Sequence, residues 1–324
     1  MHDLITEIWN VSSHEEIVLD FSTLTWAFPF GALLLANELT YHFEMTGMPM
    51  QCEGYENQTY LAHIGFFKLA QFNIGNEPGE AKGGAKYIPI TVIDKNMLCS
   101  TQVDLEMTLG RQPNLFETIQ DISDRMSRMI LPESSSDSVL TVSYCFREII
   151  RNVFEHANVN KCTLFAQAYD FSDKPREVRI VIADKGCGLL ESLNRKYSYK
   201  TDEEAIIAAI QPGISGADTS GIEEWSNSGF GLYVLSELGK RYGSLNLCSG
   251  RKSLLIRKLK SDQFRDVNYQ GTAVELCVSL DNELLRPDSV EIIVKEGEKT
   301  AEYAGRPRKA SSSSKRSQAK LYTK

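Results

Sequence analysis

Residues 147–157 read REIIRNVFEHA, and this stretch has the spacing of one face of a helix. Glu148, Asn152 and His156 recur every four residues, so a helix would place their side chains on the same side. An asparagine oxygen is a hard ligand suited to Mg²⁺, and a glutamate can accept a proton from an attacking water or hydroxyl. A carboxylate and an amide on one helix face are what a Mg·ATP site requires. The alternative is an ordinary amphipathic helix whose Glu148 is a surface residue paired with Arg147 or Arg151. The apolar residues that can face the core are Val142, Phe146, Ile149 and Val153.

An apolar strand followed by a glycine turn comes next along the chain. The run Val178–Ala183 predicts a buried strand, and it leads into DKGCG at residues 184–188. A carboxylate at the end of a strand, here Asp184, can accept a hydrogen bond from an adenine amino group. Gly186 and Gly188 would let the backbone turn closely against a nucleotide. The alternative is an Asp-Gly turn that only ends a strand.

Two further glycine motifs follow. Residues 227–235 read NSGFGLYVL, a glycine loop that opens a helix, and phosphates can bind where backbone N–H groups and a helix N-terminus meet. Residues 270–272 read QGT and enter the predicted strand Ala273–Leu280. The Thr272 hydroxyl can bridge to the adenine-binding aspartate or to a water beside it. Its alternative role is that of a β-branched strand residue.

The four pieces occur in the order ExxxN, DxGxG, GxGL and GT, with strands between them, and together they resemble the GHKL superfamily of ATPases and kinases. The resemblance covers residues 135–282. It implies a Bergerat-type α/β sandwich with a mixed sheet, in which ATP is held between the sheet and a mobile lid. The lid would be the segment Leu189–Ser228, which is rich in glycine and serine near its end.

The resemblance also implies a role for each motif residue. Glu148 is the candidate catalytic base, Asn152 the ligand of Mg²⁺, and Asp184 the residue that reads adenine. The other residues implied to contact ATP are Gly186, Gly188, Gly229, Gly231, Leu232 and Thr272.

Several activities share this kind of pocket, so ATP binding is a broader prediction than any one reaction. A slow Mg²⁺-dependent ATPase or an ATP-driven conformational switch is the first hypothesis. A protein serine/threonine kinase of the anti-sigma type and a non-catalytic ATP-sensing module are the alternatives. Histidine kinases usually have asparagine at the position of Glu148, and no histidine occurs between His63 and His156. Autophosphorylation on histidine is therefore not expected.

The chain of 324 residues is long enough for two domains. Residues 1–113 predict a small α/β domain with strands at Ile17–Phe21 and Ile88–Ile93 and a helix at Gly31–Met45. Its order of elements resembles the STAS-like domains that precede some bacterial ATPase domains, and an ordinary α/β packing domain is the alternative. The overall class is α/β (α+β).

The segment 114–134 predicts a helix from Leu115 to Ile130 before a break at Pro132. This helix could be a linker, a dimerisation element of a homodimer, or the first packing helix of the ATP-binding domain. Residues 283–324 predict a C-terminal extension that ends in a disordered basic, serine-rich tail.

Charge is distributed unevenly along the chain. The net charge is −8, but the first 305 residues carry 28 basic and 43 acidic side chains, whereas residues 306–324 carry seven basic ones and no acidic one. An acidic body argues against nucleic-acid binding, and a protein partner, unidentified, is expected instead.

The compartment is predicted from cysteines and from apolar runs. Seven cysteines occur without a CxxC pair, which suits a reducing compartment. The sequence has no basic start followed by an apolar run, and no run of about 20 apolar residues. A cytoplasmic protein without membrane contact is the expectation.

Overall fold

A computed structural model describes residues 7–8, 17–132, 136–170, 172–216, 228–280, 288–306 and 309–310. The described residues form an α/β structure with one five-stranded antiparallel sheet and one two-stranded parallel sheet. The predicted fold class is therefore confirmed. None of the helices described is both long enough and apolar enough to cross a membrane.

The first part of the chain alternates strands and helices. Its elements are β1 (Ile17–Asp20), α1 (Pro29–Thr46), β2 (Met50–Glu53), α2 (Thr59–His63), α3 (Phe66–Leu69), β3 (Tyr87–Asp94) and α4 (Lys95–Leu109). Strands β1 and β2 pair in parallel, with Ile17 opposite Met50, because the intervening helix α1 returns the chain to the same end of the sheet.

The second part contains two long helices, four strands and the elements around the motifs. They are α5 (Leu115–Ile130), α6 (Ser136–His156), β4 (Lys161–Tyr169), β5 (Glu177–Ala183), α7 (Gly188–Leu193), α8 (Asp202–Ala209), α9 (Gly231–Tyr242), β6 (Gly243–Arg257), β7 (Gln263–Ser279) and α10 (Ser289–Tyr303). The predicted helix at 115–130 and the predicted strand at 178–183 are both present.

The larger sheet has the strand order β3-β4-β5-β7-β6, and each of its pairings is antiparallel. The predicted mixed sheet was wrong in this respect. For β4–β5 and β6–β7 the physical reason lies in the connections, because the short links 170–176 and 258–262 permit only an antiparallel pair.

The predicted boundary near residue 113 does not separate two sheets. Strand β3 lies before that boundary, yet it pairs with β4, with Tyr87 opposite Gln167. One apolar cluster also joins Phe66 and Phe67 from the first part to Phe165 and Tyr269 from the second. The N-terminal segment therefore covers and extends the sheet that carries the motifs.

Helix α5 packs against α6, and the three roles considered for it stay predictions. It begins with a capping box in which Asn114 accepts from the Glu117 N–H and Glu117 accepts from the Asn114 N–H. Its Gln120 then donates to the Ser143 hydroxyl of α6 at 3.1 Å. The two helices thus form an antiparallel pair on one face of the sheet.

Helix α10 was not predicted and lies within the 283–324 extension. Its apolar side chains pack inward, and a Cβ at Gly297 would come within 2.4 Å of the Tyr233 ring of α9. The Arg241 guanidinium of α9 also pairs with Glu296 at 2.5 Å. The residues of α10 that are fully buried are Val290, Ile293, Val294 and Ala301. Of the predicted disordered tail, Gly305–Lys324, residues 307–308 and 311–324 lie outside the described residues. Ala310 is buried and its N–H donates to the Glu298 carboxylate at 3.0 Å, so the prediction was wrong for this residue.

Candidate functional site

A cavity lies between α6, the end of β5, β7 and the start of α9. It encloses about 720 Å³ of space, part of which is open to solvent. Seven predicted site residues line it: Asn152, Asp184, Gly188, Gly229, Gly231, Leu232 and Thr272. Glu148 and Gly186 are the two predicted residues that do not line it. Four separate segments of the chain therefore converge on one cavity, as the motif order predicted.

Asp184 is the buried carboxylate of this cavity, with only 3% of its surface exposed. Its Oδ1 accepts hydrogen bonds from the Gly186 N–H at 2.8 Å and from the Thr272 N–H at 3.3 Å. Among the described residues, no hydrogen bond reaches Oδ2. Burial raises the pKa of Asp184 to about 6, against the opposing effect of these two hydrogen bonds.

This raised pKa predicts a pH-dependent site. About a tenth of Asp184 is ionised at pH 5 and about nine tenths at pH 7, so a ligand that needs the carboxylate should bind about tenfold more tightly at pH 7. Calorimetric titrations of ATP at both pH values test this. Asp184→Asn is the control, because it retains only the pH dependence that comes from ATP itself.

The stability of the empty protein should change in the opposite direction. Between about pH 4 and pH 6 the folded state holds the Asp184 proton and the unfolded state has released it. The contribution of Asp184 to folding stability therefore falls as the pH rises through this window. An ATP affinity of the parent that depends on pH no more than that of Asp184→Asn would contradict the first statement. A melting temperature that changes with pH equally in the parent and in Asp184→Asn would contradict the second.

Two glycines, Gly186 and Gly271, make close contacts with the backbone around the cavity, each at a different place. A Cβ at Gly186 would lie 2.2 Å from the Ala157 carbonyl oxygen at the end of α6, so this glycine packs behind the cavity instead of lining it as predicted. Gly271 has φ +100°, and a Cβ there would lie 2.2 Å from the Asp184 carbonyl oxygen. Gly271 was not among the predicted site residues, although its place before Thr272 in a strand was a usable signal.

Thr272 contacts Asp184 through its backbone. Its N–H donates to the Asp184 carboxylate, and its carbonyl oxygen accepts from the Asp184 N–H at 2.9 Å. The bridge that was predicted for its hydroxyl is thus made by its N–H. Thr272 and Asp184 are held in register by the pairing of β5 with β7, in which Ala183 lies opposite Ala273.

Asn152 lies on α6 and lines the cavity. Its Nδ2 atom is buried and has no hydrogen-bond partner among the described residues. Buried polar groups of folded proteins are nearly always hydrogen-bonded, so this Nδ2 donor is available to an acceptor in the cavity. Asn152 therefore fits a role in ligand binding.

Glu148 lies one helical turn before Asn152 and is buried, with 3% of its surface exposed. Its Oε1 accepts from the Arg147 Nε at 3.1 Å and from Nη2 at 2.9 Å. Its Oε2 points to the start of α9, where a Cβ at Gly231 would come within 2.6 Å of it. The carboxylate thus lies behind Gly231, which lines the cavity. The ion pair with Arg147 considered as an alternative is present, but it is buried and not on the surface.

Arg147 was not predicted as a site residue, yet it is one of the largest fully buried side chains. Its Nη1 donates to the Gln120 Oε1 at 2.8 Å, and its guanidinium lies 4.8 Å from the centre of the Tyr144 ring and 5.3 Å from that of Phe116. These contacts from α5 and α6 fix the side chain that holds Glu148.

The predicted lid, Leu189–Ser228, is described in part. Its first half forms α7 and α8, while residues 217–227 lie outside the described residues. Gly229 closes the segment with φ +75°, and a Cβ there would lie 2.5 Å from the Ile214 carbonyl oxygen. The Gly213 N–H donates to the Gly229 carbonyl at 3.0 Å. This contact holds together the residues on either side of 217–227, and Ile214, Gly229 and Leu189 all line the cavity.

Comparison with known proteins gives no family for this chain. No protein-family model matches it, and no curated protein matches it either. The order of the four motifs and their convergence on one cavity are the observations from which a function can be proposed.

Proposed function

We propose that this protein binds ATP with Mg²⁺ in the cavity beside α6, in the manner of a GHKL-type ATP-binding domain, and that it hydrolyses ATP slowly or uses it as a conformational switch. The observation that supports this most directly is the convergence of seven residues from four distant motifs on one cavity. The cavity receives an amide from helix α6, a carboxylate from the end of β5, glycines from the start of α9 and a threonine from β7. A switch also requires a protein partner that reads it, and that partner stays a prediction.

Adenine recognition is assigned to Asp184. Its Oδ1 is already used by the Gly186 and Thr272 N–H groups, which leaves Oδ2 for a donor in the cavity. An exocyclic amino group is such a donor, and a hydrogen bond to a buried carboxylate is stronger than one between neutral groups. The phosphates are assigned to Gly229 and Gly231, because α9 begins there and its N-terminus favours negative charge.

Mg²⁺ is assigned to the side-chain oxygen of Asn152, because this residue lines the same cavity. Its Nδ2, unpartnered among the described residues, is a donor and would face an acceptor such as a phosphate oxygen. Mg²⁺ is commonly bound through one or two carboxylates together with phosphate oxygens and waters, and in this site an amide oxygen would take the place of the carboxylate. The ion would supply positive charge that neutralises the phosphates. Asn152 itself contributes the oxygen and fixes it on a rigid helix.

Hydrolysis is assigned to Glu148, which would hold the proton of the attacking water at its carboxylate. Arg147 orients this carboxylate from a fully buried position. The same arrangement favours a second candidate, an ATP-sensing module. A carboxylate that is paired with a buried arginine and screened by Gly231 is less accessible to water.

One experiment separates these activities. ATP labelled in its γ-phosphate is incubated with the full chain and Mg²⁺, and binding is measured in parallel by calorimetry with and without a chelator. Binding with slow release of free phosphate supports the ATPase, and binding without release supports the sensor. Labelled protein would support the serine/threonine kinase alternative. A chain that does not bind ATP at all would overturn the proposal.

Asn152→Ala tests the assignment of Mg²⁺. The gain in ATP affinity on adding Mg²⁺ should disappear, because the alanine cannot supply an oxygen, while the fold persists since Asn152 is only partly buried. Titrations with and without Mg²⁺ measure this gain. Asn96→Ala, at an exposed position of α4, is the matched control and should keep the full gain. An undiminished Mg²⁺ effect in Asn152→Ala would remove Asn152 from the site.

A further inference from the structure

An ion pair joins the N-terminal helix to the DKGCG motif on the face of the sheet opposite the cavity. The Glu38 carboxylate of α1 accepts a hydrogen bond from the Lys185 ammonium. Both side chains are largely buried, with 1% of Glu38 and 17% of Lys185 exposed. Lys185 directly follows Asp184, so the pair connects α1 to the residue that is assigned to adenine.

Aromatic rings surround the lysine on this side. Its Nζ lies 3.8 Å from the centre of the Tyr269 ring and 5.0 Å from that of Tyr41. The Tyr269 hydroxyl also donates to the Asp184 carbonyl oxygen at 3.2 Å. The Lys185 side chain and the backbone of Asp184 therefore both contact Tyr269, and Glu38 pairs with the lysine.

A second contact ties the same turn of α1 to the end of β5. The Asn37 Nδ2 donates to the Thr163 Oγ1 at 2.7 Å, and this hydroxyl donates to the Ala183 carbonyl oxygen at 3.2 Å. Adjacent residues of α1 thus reach the two positions, 183 and 185, that flank Asp184. Helix α1 is connected to the strand end that carries the candidate adenine-binding carboxylate.

We infer that Glu38 is a positioning residue for adenine recognition, which it supports by holding the Lys185 ammonium on the α1 side of the sheet and away from Asp184. This inference rests on the proposed function, because it concerns the residue assigned to adenine. Without Glu38, the Lys185 ammonium would compete with the adenine amino group for the Asp184 carboxylate. A buried ammonium that loses its carboxylate partner is strongly unfavourable. The carboxylate of Asp184, the preceding residue in the chain, is then the alternative partner of Lys185.

The inference predicts a loss of selectivity for the adenine amino group. If the Lys185 ammonium paired with Asp184, it would occupy the carboxylate oxygen that accepts from the adenine amino group. The phosphate contacts at α9 would be unaffected. Affinities of the full chain are therefore measured for ATP and for purine riboside triphosphate, which lacks the amino group. The parent should prefer ATP by about tenfold or more. Glu38→Gln should reduce this preference to about twofold.

Two further variants separate positioning from general destabilisation. Glu38→Gln/Lys185→Met removes the competing ammonium and should restore the preference for ATP. Leu34→Ala removes a fully buried side chain one turn earlier in α1 and should lower the Tm without changing the preference. If Glu38→Gln does not fold, Glu38→Asp carries the test, with an expected reduction of about threefold because its shorter side chain holds the lysine less closely.

An unchanged preference in a folded Glu38 variant overturns the inference while leaving the proposed function intact, since the parent still binds ATP. A double variant that stays unselective also overturns it, because Glu38 would then not act through Lys185. A parent that binds neither nucleotide refutes the proposed function and the inference with it.

Discussion

Replacing Glu148 with alanine is expected to slow ATP turnover by about 10²–10⁴-fold while leaving ATP bound. The carboxylate lies behind Gly231 at the start of α9, on the side of the cavity assigned to phosphate, and far along α6 from the turn that follows Asp184. Its removal should therefore affect the attacking water and not adenine recognition. Nucleotide affinity should change by only a few fold.

A single-turnover assay at saturating ATP and Mg²⁺ measures this effect, with calorimetry on the same samples to confirm binding. Glu106→Ala, at an exposed position of α4, is the control for loss of a glutamate and should keep the parent rate. Equal rates in the parent and Glu148→Ala would assign Glu148 to a structural pair with Arg147. A parent that binds ATP but does not turn it over would favour the sensing module.

Replacing Asp184 with asparagine is expected to weaken ATP binding by about ten- to a hundredfold. The asparagine oxygen can still accept from the Gly186 and Thr272 N–H groups, so the turn should persist. Its amide nitrogen would then occupy the position of Oδ2. An NH₂ group facing the adenine amino group places two donors together, and the charge is lost as well.

Calorimetric titration of ATP measures this loss, and thermal unfolding shows whether the fold is kept. Asp266→Asn is the matched control, because Asp266 lies on the same strand as Thr272 but its side chain is 90% exposed. Parent-like affinity in Asp184→Asn would exclude adenine recognition by this residue.

The parts of the site that the sequence predicted correctly depend on local patterns. The spacing of Glu148 and Asn152 indicates one helix face, and both residues lie on α6. The run Val178–Ala183 is apolar apart from Arg179, as in a strand that is covered on both faces, and α6 and α1 do cover β5. Such patterns are set by residues close together in the chain, which is why periodicity detects them.

What was missed depends on contacts between distant residues. The charge of Arg147 suggested a solvent-exposed partner, but Gln120 and two aromatic rings from α5 and α6 make its burial possible. Strand β3 was recognised as a strand, whereas its partner β4 lies about 70 residues later and no local signal identifies it. Helix α10 had a readable apolar spacing at Val290, Ile293 and Val294, which the prediction of an extension overlooked.

The junction of β3 with β4, together with the contacts of α1, has a consequence for the order in which the chain folds. The hydrogen bond from Asn37 to Thr163 spans 126 residues, and that from Lys185 to Glu38 spans 147. During synthesis the first 130 residues leave the ribosome before the strands that cover them have been made. The apolar side chains of α1 and β3 therefore remain exposed until the second half of the chain is synthesised. Contacts of such high sequence separation slow folding. We therefore expect the two halves to unfold together, as a single step in thermal denaturation.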